Sequence, residues 1–260
     1  MTAPFGRRRA AVVESRALGS YRLLTVTDEE GPRPEPGQFY MLSTAERWGT
    51  DGERPYLPRA FSHARARDGR LDFLLEAVGP GTERLAAAVP GEELHLVGPL
   101  GIGFTPVASA LLVGGGIGAA PILALSDDIG PEAPVMLGFR NADYAAAASL
   151  FAGAPALVTD DGSAGRRALV TELLREALDE GGAPTVYACG PPPMLEAVRA
   201  LCAERDVPAQ LAMESGMACG FGACFGCVVP TRDGYRRLCV DGPVVDAAEL
   251  ETALVAGAGH

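Results

Sequence analysis

Short apolar runs broken by turn residues fill the first hundred positions. Between Tyr21 and about Val97 these runs are YRLLTVT at 21–27, QFYMLST at 38–44, LDFLLEA at 71–77 and ELHLVG at 93–98, each of strand length and bounded by turn formers. Pro32, Pro34, Pro36 and Gly37 punctuate the first connection, and TERLAAAV at 82–89 reads as one intervening helix. Closely spaced short strands with Gly and Pro turns predict a small antiparallel β-barrel. After Pro106 the rhythm changes to apolar strand, turn, helix: ALLVGGG then IGAAPILAL, VMLGFR then DYAAAASLF, ALVTDDG then ALVTELLREAL, and TVYACG then MLEAVRALCAE. Four such alternations predict a parallel sheet covered by helices. Ligands of such sheets gather at the carboxyl ends of the strands, which here are 114–118, 140–143, 160–165 and 189–191.

The last stretch opens with a short strand, AQLAME, runs through a cysteine- and glycine-rich segment, and closes on a predicted helix from about Asp246 to Leu254. The fold class expected is therefore α/β plus all-β, in three parts: a barrel over 1–106, a nucleotide-binding α/β unit over 107–205 and a cysteine segment over 206–260. A length of 260 residues accommodates this division.

Composition narrows the function. A 48% hydrophobic content excludes disorder, and a net charge of −11 disfavours a nucleic-acid partner. The one basic run, Arg7 to Arg9, reads as a solvated, frayed terminus. No signal-like apolar stretch follows it, since Val12 and Val13 give way to Glu14, Ser15 and Arg16. The uncharged stretch 101–126 is interrupted by Pro106, four glycines at 114–118 and Pro121, so it reads as strand, turn and helix and not as a membrane span.

Six cysteines stand at 189, 202, 219, 224, 227 and 239. Clustering late in a long chain without a signal favours metal ligation in the cytoplasm over a disulfide framework. Cys219, Cys224 and Cys227 form C-x4-C-x2-C, and Cys239 follows after eleven residues, which is the plant-type ferredoxin spacing for a 2Fe-2S cluster. The residues between the first three are small or apolar and uncharged, and Gly220, Gly222 and Gly226 let backbone N–H groups turn toward the sulfurs. Zinc is the competing reading, weakened because zinc sites favour paired C-x2-C units and only one is present. Cys202, apolar-facing on a predicted helix, reads as a small buried hydrophobe.

Taken in order, RAFS at 59–62, VGPGTERL at 78–85, GPLGIGF at 98–104, LLVGGGIGAAP at 111–121, LGFR at 137–140, TDDGSAG at 159–165, YACGPPPML at 187–195 and the cysteine segment with its trailing GPV at 242–244 resemble the electron transfer subunits of NAD-dependent dihydroorotate dehydrogenase, within the ferredoxin reductase superfamily. The resemblance covers nearly everything from Tyr21 to Val245. It implies FAD, a 2Fe-2S cluster and NAD as cofactors. Arg59, Ala60, Phe61 and Ser62 would lie along the flavin, and Leu74, Leu75 and Glu76 on a second flavin strand. There the family's aromatic and basic pair is replaced by Leu75 and Glu76, a carboxylate unfavourable beside a phosphate. Gly81 and Thr82 would receive the flavin pyrophosphate at a helix start, with Thr82 also readable as an N-cap.

Gly114, Gly115, Gly116 and Gly118 read G-x-G-x-x-P, a departure from the usual dinucleotide fingerprint that still leaves bare backbone for a pyrophosphate. Asp160 and Asp161 would accept bonds from a ribose diol and repel a 2′-phosphate, which favours NAD over NADP, against the pull of Arg140, Arg166 and Arg167. Cys189, Gly190 and Pro191 resemble the loop abutting the nicotinamide, with Cys189 adjacent to the ring and no side chain needed as acid or base. His63, His95 and His260 show no catalytic grouping.

By the same resemblance the partner is an FMN-containing catalytic subunit that oxidises dihydroorotate, the assembly a heterotetramer in pyrimidine biosynthesis, and the route cluster to FAD to nicotinamide. The aromatic pair Phe221 and Phe225 would flank the cluster where it meets its donor. Two other readings stand beside it: the reductase subunit of another complex, such as a ferredoxin–NADP oxidoreductase or a hydrogenase, and a non-enzymatic cysteine-rich metal-binding module.

Overall fold

The computed structural model describes residues 6–49 and 57–255. Strands β1 (Arg8–Leu18), β2 (Tyr21–Thr27), β3 (Phe39–Thr44), β4 (Arg59–Arg67), β5 (Arg70–Leu75) and β6 (Glu93–Leu100) close into an antiparallel barrel in the order β1-β2-β5-β4-β3-β6. The short helix α1 (Pro80–Ala86) bridges β5 and β6. The expected antiparallel barrel is present, and the strands read at 21–27, 38–44, 71–77 and 93–98 correspond to β2, β3, β5 and β6.

Two strands escaped the hydrophobic pattern. β4 is interspersed with arginine, and β1 alternates buried and exposed positions in RRAAVVESRAL. The frayed-terminus reading of Arg7 to Arg9 is corrected by β1. Arg8 donates two 2.7 Å bonds to Asp28, and Arg9 pairs with Glu93 at 2.7 Å. Both arginines serve as strand residues because β1 must pair with both β2 and β6 to close the barrel.

The second half forms a seven-stranded sheet from β7 (Ala110–Gly115), β8 (Val135–Phe139), β9 (Ala156–Thr159), β10 (Arg166–Arg167), β11 (Thr185–Cys189), β12 (Ala209–Ala212) and β15 (Val244–Asp246), in the order β10-β9-β8-β7-β11-β12-β15. All neighbours are parallel except β12 and β15. Helices α2 (Ala119–Ile129), α4 (Val170–Asp179) and α5 (Pro192–Glu204) connect them. The alanine-rich DYAAAASLF makes only a single turn, α3 (Ala142–Ala145), capped by Asn141 and continued by a 3-10 turn at Ala146–Leu150.

Beyond β12 a hairpin of β13 (Val228–Thr231) and β14 (Gly234–Arg237) leads into α6 (Leu238–Asp241) and then β15. The closing helix expected over 246–254 does not form. Val245 pairs antiparallel with Leu211, and a 3-10 turn at Ala247–Glu249 follows. Buried Ala247, Leu250 and Ala253 recur every three residues, a spacing that mimics a helical face but here lines one short segment packed on α5.

The barrel and the sheet share apolar surface. Tyr40 and Leu42 of β3 pack with Phe73 and Leu75 inside the barrel. Phe39 and Met41, on the opposite face of the same strand, belong to a core with Val113, Cys227 and Cys239. Burial on both faces explains why Phe39 to Leu42 form an unbroken apolar run. At the strand ends, the stretch after Gly98 docks on the GPV motif: Ile102 bridges Pro243, and its N–H donates to the Gly242 carbonyl.

Candidate functional site

The cysteine loop runs from β12 to the β13–β14 hairpin. Gly220 and Gly222 adopt left-handed φ of 79° and 84°, and Phe225, unusually for a side-chain-bearing residue, a φ of 57°. This curl turns backbone N–H groups toward sulfur. Gly222 N–H donates to Cys239 Sγ at 3.1 Å, Gly226 N–H to Cys224 Sγ at 3.4 Å, and Cys239 N–H to Cys227 Sγ at 3.4 Å.

Cys219 and Cys224 make one thiol contact, and Cys227 and Cys239 another. Among the described residues no three His, Cys, Asp or Glu donors converge on one point; the sulfurs stand as two pairs. Two iron ions that each take two thiolates are compatible with such pairs. Burial raises the Cys219 thiol, but the N–H groups of Phe221 and Cys224, the Cys224 thiol and the N–H of Ala223 outweigh it and bring Cys219 down to about 6. A thiolate thus already has donors aimed at it. Burial and the contact with Cys227 push Cys239 up to about 12. Phe221 and Phe225 are 51% and 64% exposed, with the Arg237 guanidinium over the Phe225 ring.

The loop rests on the barrel through Gly220. A Cβ there would lie 2.6 Å from Met41 Cγ and 3.1 Å from Leu100 Cδ1. Met41 is the β3 partner of Ala60 on β4, so the cysteine loop lies one strand away from RAFS. Within RAFS, Ala60 and Ser62 share the face of their partners Met41 and Phe39, while Phe61 packs against the barrel's own core. Arg59 donates to the Leu57 carbonyl at 2.6 Å, and its guanidinium covers Gly81, where a Cβ would come within 2.6 Å of Nε. Cationic nitrogen at the start of α1 suits a phosphate.

Thr82 is not the N-cap. Gly79 is, and Thr82 sits at the third helical position, its Oγ1 accepting from the Val78 and Gly79 N–H groups. Leu74 and Leu75 are fully buried. Glu76 accepts from Tyr144 Oη at 2.9 Å and lies 3.7 Å from the Arg140 guanidinium, which also stacks on the Tyr144 ring. The carboxylate that departs from the family's pattern is therefore spent on joining the barrel to the second strand–helix unit.

The glycine turn follows β7. A Cβ at Gly118 would strike the Cys189 carbonyl and the Gly190 nitrogen, one at Gly115 the Met194 sulfur, and one at Gly114 the Leu137 side chain. Gly118 is required by backbone packing, whereas at Gly115 and Gly114 the closest neighbours are the ends of the Met194 and Leu137 side chains. Gly116 differs: it has a φ of 56°, and a Cβ there would find only Tyr21 Oη, 3.9 Å away. The turn is thereby seated against Cys189 and Gly190. Burial, then the Glu214 carboxylate, holds the Cys189 thiol far above its ordinary range, so it stays protonated and unreactive.

Asp160 and Asp161 are exposed at the end of β9. Asp161 accepts from Ser163 N–H and Oγ at 2.9 and 2.6 Å, bonds that hold its carboxyl below the usual range. Arg166 pairs with Glu176 at 2.9 Å, and Arg167 donates to the Asp160 carbonyl. His63 is buried in the barrel with its Nδ1 near the Gln38 carbonyl, and burial lowers it to about 4; His260 lies outside the described residues. Small hollows lie near His63 and Asp127, and on the β13–β14 hairpin beside Tyr235 and Glu249. Tyr21, Met41 and Tyr144 join the site although no motif marked them; the signal available was only their place in strands and turns flanking the motifs. Among the described residues no helix is long and apolar enough to cross a membrane.

Residues 214–251 match the family model described as the iron-sulfur cluster binding domain of dihydroorotate dehydrogenase B. Along its whole length the chain is similar to proteins described as the electron transfer subunit of dihydroorotate dehydrogenase B (NAD(+)). It is 33% identical to that of Caldanaerobacter subterraneus subsp. tengcongensis, over 94% of this chain and 98% of the relative. It is 35% identical to that of Geobacillus thermodenitrificans, with the same two coverages. In fold it is similar to a solved NADH-dependent reduced ferredoxin-NADP oxidoreductase structure, with a TM-score of 0.79, 23% identity and coverage of 95% of this chain and 91% of that one. A ferredoxin reductase of carbazole 1,9a-dioxygenase is similar at a TM-score of 0.63 and 23% identity, over 78% and 66%.

Proposed function

The chain belongs to the family of electron transfer subunits of NAD-dependent dihydroorotate dehydrogenase B, and from that premise we propose that it links a 2Fe-2S cluster, FAD and NAD, drawing electrons from an FMN-containing subunit that oxidises dihydroorotate, in a cytoplasmic heterotetramer. The observation that carries this reading is the placing of the cysteine loop: Gly220, next to Cys219, lies on Met41, the strand partner of Ala60 in RAFS. A metal-ligating loop and a flavin strand set side by side are what a relay of electrons requires. When bound, the flavin exchanges electron pairs with nicotinamide and single electrons with the cluster.

The chain's own residues supply position and charge. Cys219, Cys224, Cys227 and Cys239 would hold the cluster, with the N–H groups of Gly222 and Gly226 already bonded to sulfur. Arg59, beside Gly81 and Thr82, would neutralise the flavin pyrophosphate, and Ala60 and Ser62 would wall the flavin, with Phe61, Leu74 and Leu75 backing that wall from within the fold. Glu76 fixes the barrel against Tyr144 and Arg140 instead of touching a phosphate. Gly116 is the point of the glycine turn at which the dinucleotide approaches, its neighbours Gly114, Gly115 and Gly118 holding the turn against Cys189 and Gly190. Asp160 and Asp161 accept from the ribose diol. NAD is favoured over NADP because Arg140 and Arg166 are already occupied by Glu76 and Glu176.

We keep the division into a flavin barrel over 1–106, a nucleotide unit over 107–205 and a cluster segment over 206–260, with β12 and β15 of the last completing the sheet of the second. Six unpaired thiols support a reducing compartment.

The test is an anaerobic preparation assayed for iron, sulfide and flavin with its visible spectrum. One FAD, two irons and two sulfides per chain are expected, and zinc without flavin would overturn the reading. Cys219→Ser should then abolish dihydroorotate-dependent NAD reduction in the reconstituted complex while NADH-dependent dye reduction survives. Equal loss of both activities would contradict the order of carriers.

A further inference from the structure

We propose that the Tyr21 hydroxyl is a hydrogen-bond donor to an uncharged oxygen on the nicotinamide half of the bound dinucleotide. The inference rests on the electron-transfer reading above and adds to it a residue of the binding site that no motif contains.

Tyr21 begins β2 and is only 3% exposed, yet its hydroxyl has no hydrogen-bond partner among the described residues. A buried hydroxyl left unmatched is destabilising, so a fold that keeps one has a reason. Tyr40 is in the same condition but is enclosed by the Phe73 and His63 rings inside the barrel. Tyr21 instead points out of the barrel toward Gly116, the one glycine of the turn whose missing side chain opens onto space and not onto protein. On either side of Gly116, Gly115 and Gly118 touch the Cys189–Gly190 loop. The hydroxyl therefore lies buried directly under Gly116, beside the loop assigned above to the nicotinamide.

Its surroundings fix both its orientation and its protonation. The Tyr21 ring stands edge-on to Tyr144, with centroids 5.3 Å apart, and the Ser20 N–H donates to the Asp143 carbonyl at 3.2 Å. Burial, then the Glu76 carboxylate and Tyr144, with Arg140 opposing them, keep the phenol well above its ordinary range, so it stays protonated and able to donate. Glu76 and Arg140 lie 3.7 Å apart and leave little net charge beside the hydroxyl. A ribose hydroxyl or a carboxamide oxygen is the acceptor that suits a neutral donor in such surroundings, which puts the contact on the nucleoside part of the nicotinamide half.

The experiment compares Tyr21→Phe with wild type, both carrying their flavin and cluster, by calorimetric titration with NAD+ and separately with AMP. Loss of one buried hydrogen bond should weaken NAD+ binding about tenfold, with AMP affinity and flavin content unchanged and the thermal midpoint of the NAD+-free protein equal or higher. Unchanged NAD+ affinity, or equal losses for NAD+ and AMP, would overturn the assignment. Loss of flavin from the variant would also overturn it and would give the hydroxyl to FAD. A wild-type chain that binds neither FAD nor NAD+ would instead sink the electron-transfer reading on which the assignment stands.

Discussion

Two glycine-rich turns dominate the site, and they use glycine for opposite ends. In the cysteine loop, Gly220 and Gly222 are left-handed, and the freedom they provide bends the backbone so that N–H groups face sulfur. In the turn after β7, Gly114, Gly115 and Gly118 lie outside the left-handed region and leave out side chains that would collide with Leu137, Met194 and the Cys189–Gly190 backbone. The first turn needs glycine for conformation, with close approach to flexible side chains besides, whereas in the second only Gly116 is left-handed and Gly118 serves close approach to backbone. Identical letters in a sequence thus mark a ligand cradle in one place and a packing seam in another.

The strongest way to break this contrast is Gly118→Ala. Its Cβ would enter the Cys189 carbonyl and the Gly190 nitrogen, which are backbone atoms unable to swing aside. The expected result is a loss of about 3 kcal/mol or more, seen as a large drop in thermal midpoint or failure to accumulate. A stable, flavin-loaded Gly118→Ala protein would show that the seam has slack and that the glycine serves the ligand after all.

A smaller effect is expected in the cysteine loop. Gly220→Ala meets Met41, a flexible side chain, and is strained at a φ of 79°, together about 1–3 kcal/mol. The barrel should keep its FAD while iron and sulfide content fall, because the damage is confined to the curl that presents the sulfurs. Met41→Ala opens room under the loop, so the double variant should recover part of the lost iron, a coupling readable in a double-mutant cycle. Strict additivity would mean that Met41 does not support the loop.

Legibility followed the same division. The cysteine spacing and the strand–turn–helix alternation were plain in the sequence because each is a local pattern with a local cause. The barrel was read from four strands, whereas β1 and β4 stayed hidden among arginines whose partners, Asp28, Glu93 and Asp127, lie far away in the chain. The tail was misread because Ala247, Leu250 and Ala253 repeat at a helical interval while Val244 and Val245 are claimed by β12. Glu76 could be recognised as a departure, but its role depends on Tyr144 and Arg140, some 64 to 68 positions on. Tertiary partners of this kind have no signature in a single sequence.

The weakest effect, and the one that separates the cysteine segment's anchorage from that of the glycine turn, involves Glu196 on α5. Its carboxylate accepts two bonds from Arg199, one from Thr252 Oγ1 at 3.0 Å and one from the Ala253 N–H at 2.6 Å, tying the tail beyond β15 to the nucleotide unit. The Arg199 bonds, opposed by burial and helped by Ala253 and Thr252, bring its pKa from 4.5 to about 2. Because the folded value is depressed, this stabilisation is complete above about 4.5 and is lost as pH falls toward 2. Glu196→Gln should therefore speed amide exchange at Ala253 near neutrality, with the difference from wild type shrinking as pH falls through that window. Exchange within the turn at 114–118 should not respond, since its closure relies on packing and carries no titrating group. A parallel change at both places would mean that the two turns are held by one cooperative unit, and the distinction between them would fall.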